Sequence, residues 1–188
     1  MRFDCICVGL GCSLLVGVVG CSSSSSSPPA KGYVQTTASG ASCDLTPTLF
    51  TIGSSSDPVV NGQNGASVSC SVKSSGGGFD VSLSIAFGSY QFSSHGHVAA
   101  DDGVTPPGTL TADINDADPQ VSAVLYDGTT CVLSYNSPGN GSVEPGRIWG
   151  RLTCTDLVDS AKNVTVNGNT QPMVCSGTAS FLFADCSQ

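Results

Sequence analysis

Apolar and polar residues alternate along much of the chain. Ala66, Val68, Cys70 and Val72 are separated by Ser and Lys, and after Ser74-Ser75-Gly76-Gly77-Gly78 the alternation resumes as Phe79, Val81, Leu83, Ile85 and Phe87. A period of two places successive side chains on opposite faces, so these stretches predict a hairpin with one apolar and one polar face. Tyr90 and Phe92 then fall on even numbers, a phase slip at Gly88-Ser89 that reads as a bulge or bend. Leu110, Ala112 and Ile114 make the next short strand. Val121 to Tyr126 and Thr129 to Tyr135 flank Asp127-Gly128, a strong two-residue hairpin signal. Both faces of that hairpin are apolar. It is either a hairpin covered on both sides, a longer loop, or an exposed patch of Val124, Tyr126, Leu133 and Tyr135 that meets a lipid or partner.

Further along, Ile148, Gly150, Leu152 and Cys154 alternate with Arg147, Trp149, Arg151 and Thr153. Thr155 to Lys162 has room for one short helical turn. Val164 and Val166 lead into Asn167-Gly168, and Cys175, Gly177, Ala179, Phe181 and Phe183 form a last strand ending at Cys186. About eight short strands with turns between them predict an all-β fold, an antiparallel β-sandwich or open barrel.

Composition agrees. The 188 residues hold 23 Gly and 10 Pro, and only 11% of them are charged, which favours strands and turns over helix. Length and apolar content suit one domain. Six Lys and Arg against 14 Asp and Glu leave a net charge of −8, so nucleic-acid phosphates would be repelled.

The amino-terminal residues carry a different signal. Val8 to Gly20 is an apolar run too short for a spanning helix, which needs about 20 apolar residues, and it reads as a secretory signal over 1–20. It ends in Val18-Val19-Gly20-Cys21, followed by Ser22 to Ser27 and Pro28-Pro29. This resembles the lipobox of bacterial lipoproteins. The resemblance implies cleavage before Cys21 and diacylglycerol on its thiol, with membrane lipid as a partner through that acylated residue. Each buried methylene adds about 0.8 kcal/mol, so two or more acyl chains hold a protein on a bilayer without a spanning helix. The Ser-rich stretch then reads as a linker over 21–42, with the β domain over 43–188. The expected location is the cell envelope, on the extracytoplasmic side of a bacterial membrane.

Six cysteines remain in the mature chain: Cys43, Cys70, Cys131, Cys154, Cys175 and Cys186. An even number in an exported domain implies three disulfides, with 15 connectivities open. None of the six are close enough together for a zinc knuckle. From Ala66 to the end the chain is similar to the small mycobacterial lipoprotein antigens. The similarity is carried by Ser67-Val68-Ser69-Cys70, Phe79-Asp80-Val81-Ser82-Leu83, Pro119 to Leu125, Val132 to Ser137 and Phe181-Leu182-Phe183-Ala184-Asp185-Cys186-Ser187. It implies a surface antigen without enzymatic chemistry, and a bond between Cys70 and Cys186. Cys154 and Cys175 flank one excursion between neighbouring strands and are expected to pair, leaving Cys43 with Cys131.

Three clusters are candidates for chemistry. His95-Gly96-His97 places two imidazoles on one side of a strand, near Asp101 and Asp102, an arrangement that could hold a metal and support a hydrolase; the alternative is a mobile loop with exposed histidines. Asp113, Asn115, Asp116 and Asp118 offer oxygen ligands for calcium but lack EF-hand spacing, and read better as a solvated acidic turn. Arg147, Trp149 and Arg151 share a strand face that can stack sugars or grip anionic groups, unless Trp149 packs at a sheet edge beneath the arginine stems. There is no Gly-x-Ser-x-Gly elbow, phosphate loop or dinucleotide fingerprint. The expectation is a non-catalytic binding or interaction module, without cofactor, whose ligand is a lipid, a glycan or a protein.

Overall fold

The computed structural model describes residues 27–39, 50–100, 108–116, 124–135, 142–166 and 168–188. Among these residues eleven strands form one sheet: β1 (Lys31–Ser39), β2 (Phe50–Ile52), β3 (Val59–Val60), β4 (Ser67–Ser75), β5 (Gly78–Phe87), β6 (Tyr90–Ala99), β7 (Gly108–Asp116), β8 (Val124–Ser134), β9 (Val143–Glu144), β10 (Arg147–Val166) and β11 (Asn169–Ala184). Their order is β2-β1-β11-β10-β8-β7-β6-β5-β4, with β3 on β1 and β9 on β10, and every paired neighbour is antiparallel. The single sheet curls into a half-barrel, so the open-barrel expectation holds and the two-sheet sandwich does not.

The β4–β5 hairpin forms where the alternation places it. Ser75 pairs with Gly78 across Gly76 and Gly77, whose φ values of 54° and 85° are both positive. A two-residue turn that matches strand twist needs that backbone at both positions, and glycine adopts it without a Cβ clash. The inward residues Val68, Cys70, Val72, Val81, Leu83 and Ile85 are all buried. The phase slip at Gly88-Ser89 is a second tight turn rather than a bulge, because Phe87 pairs directly with Tyr90. Partners across a two-residue turn share a face, so inward positions must change from odd to even numbers. Ile85 and Phe92, both 0% exposed, are therefore opposite one another.

Three local expectations are corrected. Asp127-Gly128 is not a hairpin turn. β8 runs through it, and the pair opposes Asp113 alone, between the Ala112–Thr129 and Ile114–Tyr126 pairs. That two-against-one pairing is a bulge, which a strand with neighbours on both sides accommodates more readily than a reversal. Thr155 to Lys162 is not helical but lies within β10, where Thr155 and Asp156 oppose Ser176 in a further irregularity. The extra residue moves the buried positions from even to odd numbers, from Leu152 and Cys154 to Leu157. The domain also starts before Cys43. β1, inside the segment read as linker, lies between β2 and β11. Of its inward positions Gly32, Val34, Thr36 and Ala38, only Val34 is a large apolar residue, so the strand gave no alternating hydrophobic signal. The chain turns at Gly168, since Val166 pairs with Asn169, while Asn167 lies outside the described residues.

Closure happens at a seam. The free edge of β4 meets the carboxyl-terminal tail: the Val72 amide donates to the Ser187 carbonyl at 2.9 Å and the Ser187 amide to that of Cys70 at 3.0 Å. The Gly146 amide, from the β9–β10 turn, donates to the Val72 carbonyl at 3.1 Å. The Cys70–Cys186 disulfide locks this seam, in the pairing that the family resemblance implies. The other expected pairings are corrected. Cys154 bonds Cys131, its cross-strand neighbour on β8. β8 rather than the returning strand brings a second cysteine opposite it, because Gly177 occupies that place on β11. Cys175 is also disulfide-bonded, and Cys43 lies outside the described residues. Inside, the rings of Phe92 and Phe181 stack across the barrel with centroids 6.2 Å apart.

Candidate functional site

The barrel's outer face is a ladder of polar rows. One row runs Lys73, Asp80, His97, Thr109, Val132, Thr153, Thr178 and Thr37, from β4 across to β1. Two rows differ in composition. In the first, Trp149 on β10, Leu182 on β11 and Tyr33 on β1 stand side by side. Leu182 points outward yet is only 7% exposed, while Trp149 and Tyr33 beside it are partly exposed. The two rings thus form the exposed surface of an apolar ridge on an otherwise hydroxyl-rich face. Burial against this ridge pushes the Tyr33 phenol up from its ordinary value.

The adjacent row is Ser134, Arg151, Ser180, Gln35 and Thr51. Arg151 is exposed, two residues along the same strand face from Trp149, and makes no ion pair among the described residues. On the other side of the ridge, Lys31 pairs with Ala184, and Arg147 lines the same cavity as Ala184. Arg147 reaches Glu144 at 3.5 Å, and Lys31 holds Asp185 at 2.9 Å. Three of the chain's six Lys and Arg therefore gather around two aromatic rings, on a protein of net charge −8. The sequence placed Arg147, Trp149 and Arg151 on one face. It did not reveal Leu182, which pairing across 33 residues brings beside Trp149, nor Tyr33 and Gln35, which pairing across more than a hundred residues brings alongside.

The same end of the barrel holds an open cavity of about 730 Å³. Ser27, Pro28 and Ala30, just ahead of β1, line it together with Arg147, Asp185 and the Cys70–Cys186 region. The chain arriving from the amino terminus thus enters the domain beside the cationic row.

The remaining candidates fare differently. Leu133 is fully buried, so it cannot form part of an exposed contact patch with Tyr135. Tyr135 is half-buried against the core, and its hydroxyl donates to the Ala99 carbonyl at 2.8 Å. Pairing Leu110 with Cys131 turns the odd-numbered positions 131 and 133 inward and leaves Val132 outward and 43% exposed. The side chains of Val124 and Tyr126 lie outside the described residues.

His95 and His97 are on β6, not in a loop, and both are exposed. Gly96 between them faces inward, where a Cβ would come within 2.9 Å of the Leu110 side chain. His97 Nδ1 lies 2.8 Å from Asp80 Oδ1, and this hydrogen bond, followed by one from Ser75, holds the Asp80 carboxyl below the usual aspartate range. Asp101 and Asp102 lie outside the described residues, among which no three His, Cys, Asp or Glu side chains gather in a metal-binding group. Asp113 and Asn115 are on the outer face of β7, not in an acidic turn, and Asp113 accepts from the Ser93 hydroxyl at 2.9 Å. The side chain of Asp116 and the whole of Asp118 lie outside the described residues.

No family model, curated protein or solved structure matches the chain.

Proposed function

We propose that this protein is a lipid-anchored lipoprotein of the bacterial cell envelope, held on the extracytoplasmic side of a membrane and working as a non-catalytic binding module. Its contact face is the ridge of Tyr33, Leu182 and Trp149 with Arg151 beside it. The observation that carries the reading is two partly exposed aromatic rings in register on a hydroxyl-rich sheet, next to an arginine without an acidic partner among the described residues. Such a surface offers apolar contact and a fixed guanidinium fork together, the combination that recognises amphipathic or anionic ligands. Support for the anchor comes from Val18-Val19-Gly20-Cys21 and the serines that follow, and disulfide-bonded cysteines in a small β domain suit an oxidising compartment.

The anchor has a direct test. Cys21→Ser in the full chain, expressed in a bacterium with a lipoprotein-processing pathway, is expected to remove the acyl mass and shift the protein to the aqueous phase of a detergent partition. Unchanged retention in the detergent phase overturns acylation as the anchor.

A further inference from the structure

We propose that the Tyr33–Trp149–Arg151 face docks onto the anionic headgroups of the membrane to which the protein is tethered, so that the domain lies on the bilayer in one orientation. The inference rests on the lipid-anchor reading and names the partner of the face just described.

Two observations select this occupant. The first is reach. Only six chain steps separate Cys21 from Ser27, which lines the same cavity as Arg147. Fully extended they span roughly 20 Å, and as a flexible coil about 14 Å. An acyl-linked Cys21 sits at the bilayer interface, so the end of the barrel bearing Lys31, Arg147 and Trp149 can go no further from the headgroups than that. The second is charge. A protein of net charge −8 is repelled by an anionic surface unless it presents its few cations. Lys31, Arg147 and Arg151 lie at the tethered end, with Lys31 and Arg147 already offset by Asp185 and Glu144. Arg151 is thus the cation left for an external phosphate. Trp and Tyr favour the headgroup level, where an apolar ring body and a polar edge are both satisfied.

Trp149 is the chain's one tryptophan, so its emission reports on this face alone. The native acylated protein would be reconstituted into vesicles of phosphatidylcholine, and of phosphatidylcholine with phosphatidylglycerol, each with and without a lipid carrying a headgroup-level quencher. Flotation reads the anchor independently of Trp149. The expected result is flotation with both vesicles. Blue-shifted, quenchable Trp149 emission should appear only with phosphatidylglycerol, and should be lost in about 1 M salt, where screening acts within about 3 Å. Arg151→Gln, at an exposed position, should lower the docked fraction about fivefold without changing flotation, as expected for removing one juxtamembrane cation.

Protein that floats with neither vesicle overturns the anchor and this inference together. Protein that floats with both, while Trp149 emits identically and stays unquenched, overturns docking alone. An emission shift on adding a soluble acidic polysaccharide, with no response to phosphatidylglycerol, would assign the face to a glycan and also overturn docking.

Discussion

Removing the Cys70–Cys186 disulfide is expected to open the barrel seam before anything else unfolds. Tail residues 185 to 188 follow the last paired strand residue, Ala184, and ordering four residues costs about 4–8 kcal/mol of backbone entropy. The five seam hydrogen bonds, donated by the amides of Val72, Gly146, Cys186 and Ser187 and by the Ser187 hydroxyl, return about 1 kcal/mol each. Burial of Cys186 adds some stabilisation, but the noncovalent seam does not clearly outweigh its own ordering cost. The covalent link changes this, because it constrains the unfolded chain over 116 residues, and the loop-entropy relation assigns it about 5 kcal/mol. The same relation assigns about 3.5 kcal/mol to Cys131–Cys154, which spans 23 residues between strands that are already paired.

The comparison is Cys70→Ala/Cys186→Ala against Cys131→Ala/Cys154→Ala, using denaturant unfolding and amide hydrogen exchange. The first variant should lose about 5 kcal/mol, or roughly 10–20 °C in Tm for a domain of this size. The amides of Val72 and Ser187 should exchange rapidly in it while those of β10 and β11 stay protected. In the second variant the seam amides should keep their protection. Core-like protection of Val72 and Ser187 after loss of Cys70–Cys186, or a stability loss under about 1 kcal/mol, would refute the reasoning, since the noncovalent seam would then be sufficient.

Two further outcomes follow from packing. A Cβ on Gly177 would lie 2.5 Å from both Leu157 Cδ1 and the Thr37 carbonyl oxygen, so Gly177→Ala should cost about 1–3 kcal/mol in chemical denaturation; a neutral result would show that β1 and β11 need not approach so closely there. Ser94 is 1% exposed with no hydrogen-bond partner for its Oγ among the described residues, so Ser94→Ala should raise stability by about 1 kcal/mol in the same assay, and a loss of that size would mean the hydroxyl is satisfied.

The reason for each success and miss is local. Alternation in Val68 to Phe87 and in Cys175 to Phe183 was readable because these strands have a core on one side and water on the other, and large apolar side chains mark the difference. β1 went unread because its inward places hold Gly32, Thr36 and Ala38, which are buried only because neighbouring strands already enclose them. Asp127-Gly128 and Thr155 to Lys162 carry genuine turn and helix signals, but both lie in interior strands of the sheet. There, continued pairing on both sides satisfies backbone groups that a reversal would leave open.

The candidate site divides in the same way. Strand periodicity alone determined that Arg147, Trp149 and Arg151 share a face, and the residues at 18 to 27 carry the whole case for an anchor. The tertiary structure decided which face is outside, so Leu133 became core while Val132 was left in solvent. It also placed Tyr33 and Leu182 beside Trp149 and brought Cys131 opposite Cys154. A chain's periodicity records which residues prefer to be dry. Which strands become neighbours depends on how one curled sheet closes, and that is settled by contacts between residues far apart in sequence.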